Sequence, residues 1–211
     1  MAAPLSKSRN RVRIIGGHWR GSRLEFPSVD GLRPSSDRTR ETLFNWLQFE
    51  VPGSRCLDLF AGSGALGFEA LSRGAAYALL LDTHPQVIKQ LQQHKLRLKA
   101  NNCDIQQIDA LAWLKQWQTS PESMSMPEIE PEHVSLEAFD IIFLDPPYAL
   151  NLQSQCLQLI ENSGCIRHGG LLYLEQPQHQ QAISVSSRWQ EIRNKRSSQV
   201  NYSLLRFGDQ A

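Results

Sequence analysis

Short apolar runs alternate along the chain with stretches whose apolar residues recur every three or four positions. The apolar runs predict buried β-strands at residues 55–60, 76–81, 103–108, 139–144 and 170–174. The recurring positions predict helices at residues 65–73, 85–100, 111–117 and 152–160. Because strands that alternate with helices form parallel sheets, the pattern predicts an α/β fold with helices on both faces of one sheet.

Two hairpins and one further helix lie outside this series. An alternation of basic and apolar residues around a glycine turn signal predicts a small N-terminal β-hairpin at residues 11–26. A helix capped by Ser36 or Asp37 follows it. Residues 190–195 and 200–206 predict an antiparallel hairpin near the C-terminal end.

Length and composition predict one domain with small appendages. The 211 residues are 41% hydrophobic and carry a formal net charge of +1, which is enough for one sizeable core. We expect a flexible basic tail at residues 1–10 and a single domain at residues 11–211. Residues 119–138 contain five Glu, three Pro and no Lys or Arg, which predicts an acidic, mobile loop. A contact of this loop with a protein partner is the alternative.

Several classes of protein are disfavoured by what the sequence lacks. The four cysteines are widely and irregularly spaced, so neither a zinc site nor a redox motif is indicated, and no metal is expected. No apolar run approaches the roughly 20 residues of a membrane helix, and the first ten residues lack the apolar core of a signal peptide. We therefore expect a reduced, cytoplasmic protein without a membrane partner, and nothing demands more than a monomer.

The distribution of charge predicts a polyanionic partner. Residues 1–24 contain six basic residues and no acidic one. Two aromatic side chains in the same segment could stack on a base. The predicted RNA contacts are Arg11, Arg13, His18, Trp19, Arg20 and Arg23 in the hairpin, and Arg38 and Arg40 in the first turn of the following helix. A solvated hairpin is the alternative, as is a salt bridge to Asp37 or Glu41 for the last two arginines.

Acidic residues end successive predicted strands beside a glycine-rich turn. The pattern G-x-G-x-x-G begins at Gly62 and is shared by several classes of cofactor-binding enzyme. Asp58 would repel a dinucleotide pyrophosphate but would bind the ammonium group of S-adenosyl-L-methionine. Asp82 would accept hydrogen bonds from ribose hydroxyls and Asp109 from the adenine amine, although each could instead cap the next helix. The predicted cofactor site comprises Asp58, Phe60, Ala61, Gly62, Gly64, Asp82, Asp109 and Ala110.

The tetrapeptide Asp145-Pro146-Pro147-Tyr148 follows the apolar run at residues 139–144. Proline has no N–H for a sheet ladder, so the strand ends at the edge where ligands of open α/β sheets bind. Asp145 and the Pro146 carbonyl would accept the two N–H groups of an exocyclic nucleobase amine, and Tyr148 would stack on the base. All four residues are predicted to be catalytic. Whether Asp145 also accepts the proton stays open, and a structural Pro-Pro turn is the alternative.

Four sequence blocks together resemble a known enzyme family. Residues 58–64 (DLFAGSG) and 145–148 (DPPY) are similar to class I, S-adenosylmethionine-dependent amino-methyltransferases. Residues 13–21 (RIIGGHWRG) and 33–46 (RPSSDRTRETLFNW) are similar to the N-terminal part of the bacterial 16S rRNA guanine-N2 methyltransferases of the RsmD type. The resemblance runs from about residue 11 to residue 206.

The resemblance implies a fold, an activity and a partner. The expected fold is the Rossmann-like class I methyltransferase fold, with a seven-stranded, mostly parallel sheet. The expected activity is methylation of N2 of guanine 966 in 16S rRNA, with S-adenosyl-L-methionine as cofactor and the assembled or assembling small ribosomal subunit as partner. Residues 33–40 would lie over the methionine end of the cofactor.

Three other functions share some of these features. A DNA adenine-N6 methyltransferase uses the same Asp-Pro-Pro-Tyr motif but usually carries a separate DNA-recognition domain, for which 211 residues leave no room. A non-catalytic RNA-binding assembly factor on a methyltransferase scaffold would not need Asp58, Gly62 and Asp145. An NAD-dependent oxidoreductase is disfavoured by the position of Asp58.

Overall fold

The computed structural model describes residues 10–29, 36–119, 138–178, 180, 183–197 and 199–208. The predicted basic tail before residue 10, residues 33–35 and the acidic stretch 120–137 lie outside the described residues. The strands are β1 (Asn10–Arg13), β2 (Arg23–Phe26), β3 (Arg55–Asp58), β4 (Tyr77–Asp82), β5 (Cys103–Gln107), β6 (Phe139–Leu144), β7 (Ile166–Pro177), β8 (Trp189–Arg196) and β9 (Val200–Phe207). The helices are α1 (Asp37–Trp46), α2 (Ala65–Ser72), α3 (Pro85–Leu98), α4 (Ala110–Thr119) and α5 (Gln153–Ser163), and a 3-10 helix spans Tyr148–Leu150.

Strands β3 to β9 form one seven-stranded sheet in the order β5-β4-β3-β6-β7-β9-β8, while β1 and β2 form a separate antiparallel hairpin. Strands β3 to β7 run parallel, and β9 and β8 add an antiparallel hairpin at one edge. The strand order changes direction between β3 and β6, and ligands of doubly wound sheets bind beside the carboxyl ends at such a point. The predicted α/β, Rossmann-like fold with its two hairpins is confirmed.

Each face of the sheet carries its own apolar core. In β6, Ile141 and Phe143 join the core that includes α1, α2 and α3, whereas Ile142 and Leu144 join the core that includes α4 and α5. All four side chains are buried, because alternate residues of a strand point to opposite faces of the sheet. A strand that is apolar throughout is typical of a parallel sheet covered on both sides.

Strand β7 is longer than the sequence predicts. The prediction ends the strand before Glu175, whereas β7 continues to Pro177. The antiparallel neighbour explains the difference, since Glu175 pairs with Tyr202 of β9 and Pro177 pairs with Val200. The predicted strand end is therefore wrong, and Glu175 lies inside the sheet with 2% of its surface exposed.

Polar side chains of α2 form hydrogen bonds with the backbone of the N-terminal hairpin. Glu69 is buried and accepts hydrogen bonds from the N–H groups of Ile15 at 2.7 Å and Gly16 at 2.8 Å. The Ser72 hydroxyl donates to the Gly16 carbonyl at 2.6 Å. Gly17 has a φ of +73°, and a Cβ there would lie 1.8 Å from the Ser72 carbonyl oxygen, so this contact requires glycine. The hairpin is thus part of the body of the domain.

Candidate active site

A cavity of about 370 Å³ opens at the carboxyl ends of β3, β4, β5 and β6. Its size lies within the range of roughly 300–1,000 Å³ that is usual for small-molecule sites. It is lined by the residues predicted for cofactor binding and catalysis, namely Asp58, Phe60, Ala61, Gly62, Asp82, Asp109, Ala110, Asp145, Pro146, Pro147 and Tyr148. The predicted residue that does not line it is Gly64, which is the N-cap of α2.

Gly64 shapes the turn between β3 and α2. Its φ is +75°, and a Cβ there would lie 2.6 Å from the Phe68 ring and 2.7 Å from Leu91, so both the backbone and the packing require glycine. The Gly62 N–H donates to the Asp82 carboxylate at 3.0 Å. The turn therefore ties the end of β3 to the end of β4 and keeps its backbone beside the cavity.

Asp58 is the most deeply buried carboxylate of the cavity. It is 3% exposed, and its carboxylate accepts a hydrogen bond from the Gly67 N–H at 3.1 Å. Burial raises the pKa of Asp58 to about 7, the Gly67 N–H opposes this shift, and the charge of Asp82 adds to it. A cation bound beside this carboxyl would favour its ionised form.

Asp82 and Asp109 already bind backbone groups. Asp82 accepts from the His84 N–H at 2.8 Å in addition to Gly62. Asp109 accepts from the Ala112 N–H at 2.9 Å, so it does serve as a cap for α4. An ionised carboxylate offers about four acceptor positions, so both aspartates retain acceptors for a ligand in the cavity.

The charges around the cavity indicate which kind of cofactor fits. Among the described residues, its lining holds four aspartates and one arginine. This set would repel the pyrophosphate of a dinucleotide and suits a ligand with cationic groups and hydroxyl donors. S-adenosyl-L-methionine has a sulfonium, an ammonium, two ribose hydroxyls and no phosphate, and it fits this set. In the part of the chain that the structure describes, no group of three or more His, Cys, Asp or Glu residues is placed to hold a metal ion.

The segment from Asp145 to Tyr148 leads from β6 into the 3-10 helix and lines the cavity. The Tyr148 hydroxyl donates to Glu175 Oε1 at 2.6 Å, and the Tyr173 hydroxyl donates to Glu175 Oε2 at 2.6 Å. Our sequence interpretation missed Glu175 as a residue of the site. Its signal in the sequence is an acid directly after an apolar run, which is also how Asp82 and Asp145 are recognised.

Arg40 lies in the interior, where an RNA phosphate cannot reach it. The side chain is 0% exposed, and its guanidinium donates to Asp37 at 2.6 Å and to the Arg13 carbonyl oxygen at 3.0 Å. It also lies 3.7 Å from the Glu69 carboxylate. Burial lowers the pKa of Arg40, and the charges of Asp37 and Glu69 oppose that shift. The predicted RNA contact of Arg40 is therefore wrong, and the residue instead joins the hairpin, α2 and the cavity wall.

The other predicted RNA contacts lie on the hairpin and on the first turn of α1. Arg11 pairs with Glu25 at 3.4 Å, and Arg13 pairs with Asp37 at 2.9 Å, so both charges have acidic partners that lie after residue 24 in the chain. Exposed pairs of this kind are worth about 0–1 kcal/mol, so they can exchange an acidic partner for a phosphate. The side chains exposed to solvent are those of Arg11, Arg13, His18, Arg20, Arg23 and Arg38, while Trp19 is half-buried against the core.

The described helices include none that is long and apolar enough to cross a membrane.

Comparison with known proteins gives results that agree with one another. The family model described as "Conserved hypothetical protein 95" matches residues 12–206. Ribosomal RNA small subunit methyltransferase D of Escherichia coli strain K12 is 38% identical over 204 residues, which cover 97% of this chain and 94% of the relative. A solved structure described as the putative methyltransferase yhhF from Escherichia coli matches with a TM-score of 0.80 at 38% identity, covering 95% of this chain and 100% of that chain.

A more distant solved structure has the same fold. It is an RNA methyltransferase from Salinibacter ruber in complex with S-adenosyl-L-homocysteine, with a TM-score of 0.58 and 10% identity over 85% of this chain and 96% of that chain. At this identity the likeness concerns the fold alone. The family model and the Escherichia coli relative span nearly the whole chain, so the predicted family is confirmed. This chain belongs to the Conserved hypothetical protein 95 family, the family of the ribosomal RNA small subunit methyltransferase D proteins.

Proposed function

We propose that this protein transfers a methyl group from S-adenosyl-L-methionine to the exocyclic N2 atom of guanine 966 in 16S rRNA of the small ribosomal subunit. The main support for this proposal is that two sets of predicted site residues line the same cavity. The acidic, glycine-containing ends of β3 and β4 meet the Asp145-Pro146-Pro147-Tyr148 segment there. The name of the Escherichia coli relative, a small-subunit rRNA methyltransferase, supports the choice of substrate.

The residues at the ends of β3, β4 and β5 would hold the cofactor. Asp58 would bind the ammonium group, Asp82 the ribose hydroxyls and Asp109 the adenine amine. The backbone of four further residues would contact the same ligand, namely Phe60, Ala61, Gly62 and Ala110. When bound, S-adenosyl-L-methionine supplies an electrophilic methyl group on a sulfonium.

Asp145 and its neighbours would orient the amine that is methylated. An exocyclic amine is a poor nucleophile because its lone pair is delocalised into the ring. The Asp145 carboxylate and the Pro146 carbonyl would accept its two N–H groups, which would direct the lone pair toward the methyl carbon. The fixed φ angles of Pro146 and Pro147 would hold these acceptors in place, and positioning of this kind can supply much of a rate enhancement. Tyr148 would stack on the base.

Exposed residues of the hairpin and α1 would bind the rRNA backbone. Arg11, Arg13, Arg20, Arg23 and Arg38 would contact phosphates, and His18 and Trp19 would flank a base. The assembled or assembling small subunit, the cytoplasmic location and the monomeric state stay predictions.

The identity of the product tests the proposal. The protein is incubated with methyl-labelled S-adenosyl-L-methionine and with small subunits or naked 16S rRNA from a strain that lacks the activity, and the labelled nucleoside is identified after digestion. We expect N2-methylguanosine at position 966. N6-methyladenosine, or label in DNA alone, would favour the adenine methyltransferase instead. RNA binding without any label would favour a non-catalytic assembly factor.

Two substitutions at Asp145 separate its possible roles. Asp145→Ala should abolish turnover and leave the affinity for S-adenosyl-L-homocysteine within a few-fold, because the proposed cofactor contacts lie on other strands. Asp145→Asn keeps one oxygen acceptor, so it should retain measurable single-turnover activity if the carboxylate only aligns the amine. An Asn variant as inactive as the Ala variant would indicate that Asp145 also accepts the proton. Loss of cofactor binding in both variants would contradict the proposed role.

A further inference from the structure

Glu175 is not among the residues assigned above to the reaction, but it accepts a hydrogen bond from one of them, Tyr148. Its two carboxylate oxygens each accept a tyrosine hydroxyl at 2.6 Å, one from Tyr148 and one from Tyr173. Glu175 is 2% exposed and Tyr173 is 0% exposed. A buried carboxylate therefore joins the proposed amine-binding segment to the interior of the sheet.

We propose that Glu175 is a positioning residue for methyl transfer, which holds the ring of Tyr148, through the Tyr148 hydroxyl, in the position from which it stacks on the target base. This inference rests on the proposed function, because the role of the ring belongs to that reaction.

The ring of Tyr148 is restrained by packing and by its hydroxyl. Tyr148 begins a 3-10 helix of three residues, and its partly buried ring packs against the apolar core. The ring turns about two side-chain torsions. The hydroxyl oxygen lies on the axis of the second torsion, so its hydrogen bond to Glu175 fixes the first torsion and with it the position of the ring. The preference of a phenol O–H for the plane of its ring restricts the second torsion. Hydrogen bonds from a hydroxyl to a carboxylate are short and about twice as strong as neutral ones, so one such bond is an effective anchor.

Glu175 itself is held firmly by the sheet and by its second tyrosine. Its backbone pairs with Tyr202 in the middle of the β7–β9 ladder. Burial and the nearby charges of Glu175 and Asp145 raise the pKa of Tyr173 well above its usual value, so the Tyr173 hydroxyl stays protonated and donates to Glu175. One carboxylate oxygen is thereby fixed to the core, and the other is presented to Tyr148.

Stability alone does not account for an acid at this position. On the same face of β7, Leu171 and the ring of Tyr173 are buried in an apolar core. A buried carboxylate loses hydration that an apolar side chain at the same place would not lose, and its partners offset that loss without exceeding it in general. The acid is therefore best explained by what it holds at the edge of the cavity.

A double-mutant cycle tests the inference. Glu175→Gln keeps the size of the side chain but leaves one acceptor oxygen for two hydroxyls, and Tyr148→Phe removes the hydroxyl but keeps the ring. We expect each variant to lower kcat about tenfold with KM for rRNA and cofactor affinity within about twofold, and the double variant to lose no more than either alone. Multiplied losses in the double variant, or an unchanged kcat in Glu175→Gln, would overturn the inference.

Tyr173→Phe is the matched control for general loosening of β7. It removes the hydrogen bond from the Tyr173 hydroxyl to Glu175 and leaves that from Tyr148 in place. We expect lower thermal stability, and no loss of kcat beyond that of Tyr148→Phe when the two substitutions are combined. A further loss of kcat in that double variant would show that the effect does not pass through Tyr148, and the inference would fail.

A spectroscopic measurement tests the anchor without relying on activity. The chain contains four tyrosines, so labelling with 3-fluorotyrosine gives four ¹⁹F signals that Tyr→Phe variants assign. We expect Glu175→Gln to shift or broaden the Tyr148 signal and to leave that of Tyr77, which bonds to Asp104, unchanged. An unchanged Tyr148 signal would refute the anchor. If the wild-type protein methylates no RNA, the proposed function fails, while this measurement still decides whether Glu175 holds the ring.

Discussion

Cofactor binding should depend on pH through Asp58, and Asp58→Asn should remove that dependence. A ligand ammonium binds the ionised carboxylate, so below its pKa Asp58 must release a proton when the ligand binds. The apparent affinity then scales with the ionised fraction of Asp58. With the pKa raised to about 7, this affinity should increase as the pH rises toward neutrality.

The expected size of the effect follows from that pKa. Between about pH 5.5 and about pH 6.5, the ionised fraction of a carboxyl with a pKa of about 7 rises roughly eightfold. This corresponds to about 1.2 kcal/mol of binding free energy. An aspartate with an ordinary pKa of about 3.9 is almost fully ionised throughout this range, so it would give a flat profile.

Isothermal titration with S-adenosyl-L-homocysteine at a series of pH values measures the effect. The Asn variant serves as the control, because it keeps the size of the side chain and cannot ionise. A wild-type affinity that does not change over this range would refute the reasoning. The same slope in Asp58→Asn would assign the effect to another group at the cavity.

Stability provides a check that the Asn variant is folded. The pKa of Asp58 is raised in the folded chain above its unfolded value of about 3.9, so the protonated form is favoured on folding. The stability that this contributes is present below about pH 3.9 and is lost as the pH rises through about 7. Asp58→Asn should therefore be no less stable than the wild-type protein at neutral pH, as measured by urea unfolding.

Three further variants test other parts of the structure. Glu69→Gln removes one of the carboxylates that compensate the buried Arg40 guanidinium, so the Tm should fall by roughly 6–12 °C, against less than about 2 °C for the exposed Glu41→Gln. Gly64→Ala should weaken cofactor binding and lower stability more than Gly21→Ala. Both glycines have a positive φ, but only a Cβ at Gly64 would meet neighbouring side chains. Equal losses in the two variants would contradict the packing argument. Replacing Arg20 and Arg23 with Gln should weaken rRNA binding and reduce its salt slope by about 1–2, and an unchanged slope would count against the hairpin contacts.

The layout of the cavity could be predicted from the sequence because its signals are local. Asp82 and Asp145 each follow an apolar run, Asp58 lies within the run that leads into the glycine-rich turn, and alternation with helices indicates a parallel sheet. All carboxyl ends of parallel strands meet at one edge, so the aspartates had to lie near one another. The pattern G-x-G-x-x-G at Gly62 added the turn that brings the backbone to the same place.

Arg40 and Glu175 could not be placed in the same way because their partners are distant in the sequence. Read locally, Arg40 is a basic residue in the exposed first turn of a helix. Its burial results from the packing of α1 and the hairpin against Glu69 of α2. Likewise, the sequence shows an acid after an apolar run at Glu175, but the continuation of β7 depends on its register with β9. Non-local packing of this kind leaves no periodic signal in the chain.

The attachment of the hairpin to α2 has a consequence for the order of folding during synthesis. Ile15 and Gly16 bind Glu69 across 54 and 53 positions of the chain. The hairpin leaves the ribosome first, but a two-stranded hairpin is marginally stable by itself, so it has no lasting shape until α2 has also emerged. A nascent chain would therefore form its proposed RNA-binding surface only when α2, the helix that follows the glycine turn, has folded. The RNA-binding surface and the cofactor site beside α2 would then form together.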